Sequence, residues 1–129
     1  MKPTELLHPE ERKPSKRRKR SIKEIEGLLA KIKEYLRKVY GERLEAIILY
    51  GSFPRNKATE DSDIDIALIL KGDIDPLKEI DRVGDFISDI GLEHNELITI
   101  FPISSQEVKN SIWPLYKSLQ KEGIRLWTR

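Results

Sequence analysis

Two apolar runs, the continuous Ala46-Ile47-Ile48-Leu49-Tyr50 and Ile64-Asp65-Ile66-Ala67-Leu68-Ile69-Leu70, broken only by a carboxylate near its start, set the strongest limit on what this chain can fold into. Each has the length of a strand and neither alternates apolar with polar residues, so each needs cover on both faces. A strand covered twice lies in the middle of a sheet with helices packed against it. Candidate helices flank the runs. Ile22, Ile25, Leu28, Leu29, Ile32, Leu36 and Val39 recur at helical spacing behind Ser21-Ile22-Lys23-Glu24, a capping-box pattern, and Gly41 supplies a stop. Asp75-Pro76 opens a second amphipathic stretch, Leu77, Ile80, Val83, Ile87 and Ile90, expected to end at Gly91. Leu97-Ile98-Thr99-Ile100-Phe101 reads as a third strand ended by Pro102. The spacing of Ser104 and Glu107 starts another helix, and Pro114 a last one carrying Leu115 and Leu119 to Gly123. The expected fold class is α/β (α+β), a small mixed β-sheet backed by helices.

Charge divides the chain where the apolar pattern does. The net charge of +2 is the sum of two unlike parts: residues 1–20 hold eight Lys/Arg against three acids, and residues 21–129 hold sixteen against nineteen. The first part also contains Pro3, Pro9 and Pro14 and no apolar period, so it cannot bury enough surface to offset the entropy of ordering. It is expected to be a flexible basic arm, with 21–129 as the one domain that 129 residues allow. Lys16-Arg17-Arg18-Lys19-Arg20 could make weak, salt-dependent contact with RNA phosphates, but no aromatic residue is interleaved for base stacking. A solubilising terminus is the plainer reading of that cluster. The absence of cysteine excludes disulfides, thiolate metal sites and cysteine nucleophiles. No stretch has the length of a signal-peptide core or a membrane span, so a cytoplasmic protein with no membrane partner is expected.

The segment that carries chemistry joins the two apolar runs. Gly51-Ser52 directly follows the first, where a missing side chain lets backbone N–H groups approach phosphate oxygens. Asp63 and Asp65 open the second, one residue apart, so strand geometry turns both carboxylates to one face, half of a divalent-metal site. Asp65 sits among Ile64, Ile66, Ala67 and Leu68, where a charge is costly unless a cation or hydrogen bonds compensate it. Arg55 and Lys57, between the two features, could neutralise phosphate.

Gly51-Ser52, ten intervening residues and Asp63-Ile64-Asp65 together resemble the signature of the polymerase β-like nucleotidyltransferase superfamily, in particular its minimal nucleotidyltransferase branch. The likeness extends over roughly residues 21–127, including the ending Lys121-Glu122-Gly123-Ile124. It implies the polymerase β-like fold and nucleotidyl transfer, with Gly51 and Ser52 holding the triphosphate of ATP or another NTP and Asp63 and Asp65 coordinating Mg²⁺. Two ions about 3.5–4 Å apart would flank the reacting phosphorus. The family usually adds a third carboxylate from a neighbouring strand, for which Glu96 is the candidate, with Glu93 and His94 as neighbours worth testing. The family commonly has arginine where Phe53 stands and glycine where Asn56 stands.

Single-domain members of that branch resemble antitoxins that transfer AMP to a HEPN-type helical toxin and so block its RNase activity. A chain too short to carry a second substrate domain fits an acceptor supplied by another protein. The alternative implied by the same likeness is a weakly catalytic or non-catalytic antitoxin that neutralises its partner by association. Trp113, Tyr116 and Trp127 are expected to pack the last helices on the sheet, or else to form a partner surface.

Overall fold

The computed structural model describes residues 18–129. Of the expected arm, residues 1–17 lie outside the described residues. Arg18, Lys19 and Arg20 do not trail away: Lys19 forms an isolated bridge with Thr59, and the Arg20 N–H donates to the Ala58 carbonyl at 2.9 Å. The placed body thus begins before Ser21.

A 3₁₀ turn, Ile22–Ile25, leads into α1 (Glu26–Tyr40). The Glu24 carboxylate accepts from the Ser21 N–H at 2.8 Å, one half of the anticipated capping box. Then follow β1 (Leu44–Tyr50), β2 (Ile64–Leu70), α2 (Pro76–His94), β3 (Ile98–Ser104), α3 (Ser105–Asn110), α4 (Pro114–Glu122) and β4 (Ile124–Thr128). The strands form one mixed sheet in the order β3-β2-β1-β4, with β2 and β3 parallel and β1 antiparallel to both its neighbours. The expected mixed sheet with β1 and β2 at its centre is what the chain forms.

Period-two geometry divides the apolar residues between two faces. Ile47 and Leu49, Ile64, Ile66, Leu68 and Leu70, and Ile98 join the larger core with Leu28, Leu29, Ile32 and Leu36 of α1 and Val83, Ile87 and Ile90 of α2. Ala46 and Ile48, Ala67 and Ile69, and Ile103 form a smaller cluster with Val108 of α3 and Leu119 of α4. Among the described residues no helix is long and apolar enough to cross a membrane.

Three boundaries differ from the sequence expectation. α2 runs through Gly91 to His94 and stops at Asn95, whose φ of 54° is left-handed. Gly91 is there for close approach: the chain folds back so that the Glu96 N–H donates to the Gly91 carbonyl at 2.8 Å, and a Cβ at Gly91 would lie 2.7 Å from the Glu96 carbonyl oxygen. β3 continues through Pro102 because it is an edge strand. The Leu97 carbonyl faces β2 and accepts from Ile64 N–H at 2.9 Å, so by alternation the amide position of Pro102 faces away from the sheet. β4 was not anticipated. It covers the free side of β1, and a register shift between Ile47 and Ile48 interrupts the alternation along it.

Candidate active site

The site is built where β1 ends and β2 begins. Tyr50 pairs with Asp65 across the antiparallel ladder, and Asp65 pairs with Thr99 across the parallel one. The three side chains therefore share one face, the same face as the smaller apolar cluster, and all are half-buried. The Thr99 hydroxyl donates to Asp65 Oδ1 at 2.6 Å, which fixes that carboxylate and offsets part of the cost of its surroundings. Burial, and then the Asp65 charge, raise the Tyr50 hydroxyl above the ordinary tyrosine range, with hydrogen bonding from Thr99 lowering it in part.

Gly51 turns out of β1 with φ 83°, a left-handed conformation that strongly favours glycine. Its place beside the acid is a second constraint, because a Cβ there would collide with Asp65 Oδ2. The turn that follows is held by Lys57 N–H donating to Ser52 O at 2.9 Å and Asn56 N–H donating to Phe53 O at 3.1 Å, with Asn56 taking a φ of 59°. Asn fills a left-handed position that the family commonly gives to glycine. Phe53 points inward and joins the larger core with Ala58, so the loop is anchored from beneath. Asp63 lies just before β2, two positions from Asp65, and is half-buried.

Gly51, Ser52, Asp63 and Asp65 are thus brought to one end of the central strand pair, as their spacing implied. Arg55 and Lys57 are exposed and line an open cleft with Pro54 and Glu122. Arg55 Nε donates to Glu122 Oε2 at 3.2 Å, and that carboxyl is held below the usual range by Ser118 and then by Arg55. His94 is exposed on the last turn of α2, 3.4 Å from Lys31 Nζ.

Glu96, the expected third carboxylate, is placed differently. Both its oxygens accept from the guanidinium of Arg20, and the two side chains are only 11% and 12% exposed. Among the described residues no three His, Asp or Glu side chains converge closely enough to hold a metal ion. The residue that faces Asp65 from β3 is Thr99 instead. Sequence reasoning passed over Thr99, although it lies three residues after Glu96 and so has the opposite strand parity. Arg20 gave no signal at all beyond membership of a basic cluster.

The donors present suit a hard cation. Mg²⁺ is commonly bound through one or two carboxylates, with substrate phosphates and water completing its shell, and Asp63 and Asp65 beside a turn with no side chain in the way offer that set.

Comparisons with known proteins agree with this fold. Two proteins of Methanocaldococcus jannaschii, each named a putative protein adenylyltransferase, are similar to the chain. One is 34% identical over 101 residues, spanning 74% of this chain and 94% of its own, and the other 36% identical over 93 residues, spanning 72% and 92%. The fold is similar to that of a Sulfolobus solfataricus protein described as a putative nucleotidyltransferase, with a TM-score of 0.57 at 22% identity over 79% of each chain. It is also similar to a chain of a toxin–antitoxin structure with AMP-PNP, with a TM-score of 0.56 at 19% identity over 78% of this chain and 73% of that one. A chain from the complex of tri-AMPylated Shewanella oneidensis HEPN toxin with MNT antitoxin gives 0.50 at 16% identity, over 80% and 72%. Residues 30–128 match the family described as Polymerase beta, Nucleotidyltransferase. With that match running from the first helix to the last strand, the chain is an enzyme of the polymerase beta nucleotidyltransferase family.

Proposed function

We propose that the enzyme transfers a nucleoside monophosphate, AMP from ATP in the first instance, to a hydroxyl on a partner protein, as the antitoxin of a pair whose toxin is a helical HEPN-type protein. The observation that carries the reading is the juxtaposition of Asp65 with Gly51: a carboxylate held by Thr99 against a turn stripped of its side chain. Gly51 and Ser52 present backbone N–H groups to the triphosphate, and Arg55 and Lys57 at the rim offset the charge of the departing pyrophosphate. Asp63 and Asp65 would hold Mg²⁺, which when bound would neutralise charge at the reacting phosphate, two ions being what the family resemblance implies. The acceptor oxygen bonds to the α-phosphorus, the bond to the bridging oxygen breaks, pyrophosphate leaves, and the acceptor's proton passes to solvent at the open rim.

A protein acceptor is supported by the names of the M. jannaschii relatives, and a HEPN-type partner by the toxin–antitoxin complexes with the same fold. Of the basic cluster considered for RNA, Arg18 is paired with Glu24 and Arg20 with Glu96, which leaves fewer cations for phosphate.

The test is label transfer from α-labelled ATP to a co-purified partner. Asp63→Asn with Asp65→Asn should abolish it; failure of the wild type with its genomic neighbour and every nucleoside triphosphate would overturn the assignment. One observation favours a second reading, neutralisation by association: no third carboxylate converges on the pair among the described residues. On that reading, neutralisation survives both Asp→Asn changes and needs no nucleotide.

A further inference from the structure

The loop from Gly51 to Asp63 makes mostly local bonds of its own: Ser52 with Lys57, Phe53 with Asn56, and Thr59 with Ser62, whose Oγ accepts from Thr59 N–H at 2.8 Å. Phe53 and Ala58 anchor it in the larger core and Arg55 reaches Glu122, and the segment ahead of Ser21 adds further ties from outside. Lys19 bridges to Thr59, Arg20 N–H donates to Ala58 O, and the Arg20 guanidinium lies 5.4 Å from the centre of the Phe53 ring. The same guanidinium grips both oxygens of Glu96, in the turn between α2 and β3. One arginine thus joins three segments: the N-terminal segment, the nucleotide loop and the start of the strand that carries Thr99.

A largely buried ion pair is a poor source of net stability, since desolvation offsets most of the attraction, so its geometry matters more than its energy. Arg20 is also not free for phosphate, because both its terminal nitrogens are committed to Glu96. We propose that Arg20 is a positioning residue for nucleotide transfer: anchored by Glu96 and stacked on Phe53, it clamps the Gly51–Asp63 loop in the conformation that receives the triphosphate. Glu96 then serves as the anchor of the clamp and does not ligate metal. The role in transfer rests on the reading of Gly51 and Ser52 as the phosphate site.

The experiment compares Arg20→Met, Arg20→Lys, Glu96→Gln and the Arg20→Met/Glu96→Gln double variant with the full wild-type chain. Amide hydrogen exchange reads the clamp without any turnover. In Arg20→Met and in Glu96→Gln, amides of residues 52–62 should exchange roughly tenfold faster or more, while those of α1 and α2 keep their protection. In kinetics, KM for the nucleotide should rise about tenfold, more than kcat falls, with the Mg²⁺ concentration for half-maximal rate unchanged. Arg20→Lys should recover part of the loss, and the double variant should be no worse than either single one. Unchanged loop exchange in Arg20→Met overturns the proposal. So does a Glu96→Gln enzyme that needs more Mg²⁺ and loses kcat while Arg20→Met does not, which would make Glu96 a ligand. If wild type transfers no nucleotide to any acceptor, the functional reading falls, and the exchange comparison alone still decides whether the clamp exists.

Discussion

Along β2, Ile64, Ile66, Leu68 and Leu70 face the core beneath α1 and α2, whereas Asp65, Ala67 and Ile69 face the side that α3 and α4 cover. The first set belongs to a cluster of nineteen buried residues and the second to one of seven, so most of the apolar anchoring of the central strands comes from one side. Only on the other side does a carboxylate interrupt the run. The contrast teaches how a strand can hold a charge in a fixed place: one face is sealed so well that the strand cannot shift, and the opposite face is free to leave its end open. A one-residue step along the chain separates holding the structure from presenting the chemistry.

That division can be broken from either side. The largest effect expected is on chemistry alone. Asp63→Asn with Asp65→Asn should lower transfer by roughly 10³-fold or more, the loss of several kcal/mol of charge stabilisation, while the melting temperature stays close to wild type. Leu68→Ala should do the reverse. Leu68 is fully buried on the sealed face, so its truncation should cost about 3 kcal/mol and lower the melting temperature by roughly 10 °C, with KM of the folded enzyme unchanged. Gly51→Ala tests whether the two faces meet at the turn. A Cβ there must displace the Asp65 carboxylate and strain φ, so transfer should fall on the order of 10²-fold with a smaller loss of stability.

A fourth, smaller effect sharpens the comparison on the sealed side, which has a buried acid of its own. Glu79 is 4% exposed and accepts from Tyr40 Oη at 2.9 Å, Arg82 Nε at 3.0 Å and Arg43 at 3.1 Å. Burial alone would raise its carboxyl, but those three donors hold it below the usual glutamate range. A depressed folded-state value means that its contribution is present above the unfolded value and lost as pH falls through the folded one. Glu79→Gln should therefore cost about 2 kcal/mol at neutral pH. The gap from wild type should narrow in thermal melts as pH drops below the ordinary carboxylate range, with transfer per folded molecule unaffected throughout. Here an acid serves packing, with three donors on it; at Asp65, among the described residues, one oxygen accepts from Thr99 and the other lies against the Gly51 turn.

The sealed face was the more legible of the two. Leu28, Leu29, Ile32 and Leu36 kept their helical period, and the continuous runs at residues 46–50 and 64–70 could only be central strands. The Gly51-Ser52 turn and the Asp63-x-Asp65 pair were legible because each is local in sequence. β4 was not, since the register shift opposite Ile47 and Ile48 removes the alternation by which an edge strand is recognised. Gly91 was mistaken for a helix stop because a glycine needed for close packing looks the same in sequence as one needed for a cap. Thr99 and Arg20 escaped for a different reason: their roles depend on partners 34 and 76 residues away, and no local spacing encodes such a meeting.

The proline within β3 has a consequence for the molecule in concentrated solution. A four-stranded sheet exposes two rows of hydrogen-bonding groups along its sides, each a template onto which another copy could add a strand. On the β3 side, Pro102 removes a donor from the outward row at mid-strand. On the far side, β4 carries a bulge and the cations Arg125 and Arg129 in or beside it. Both rims are thereby made poor templates for runaway stacking.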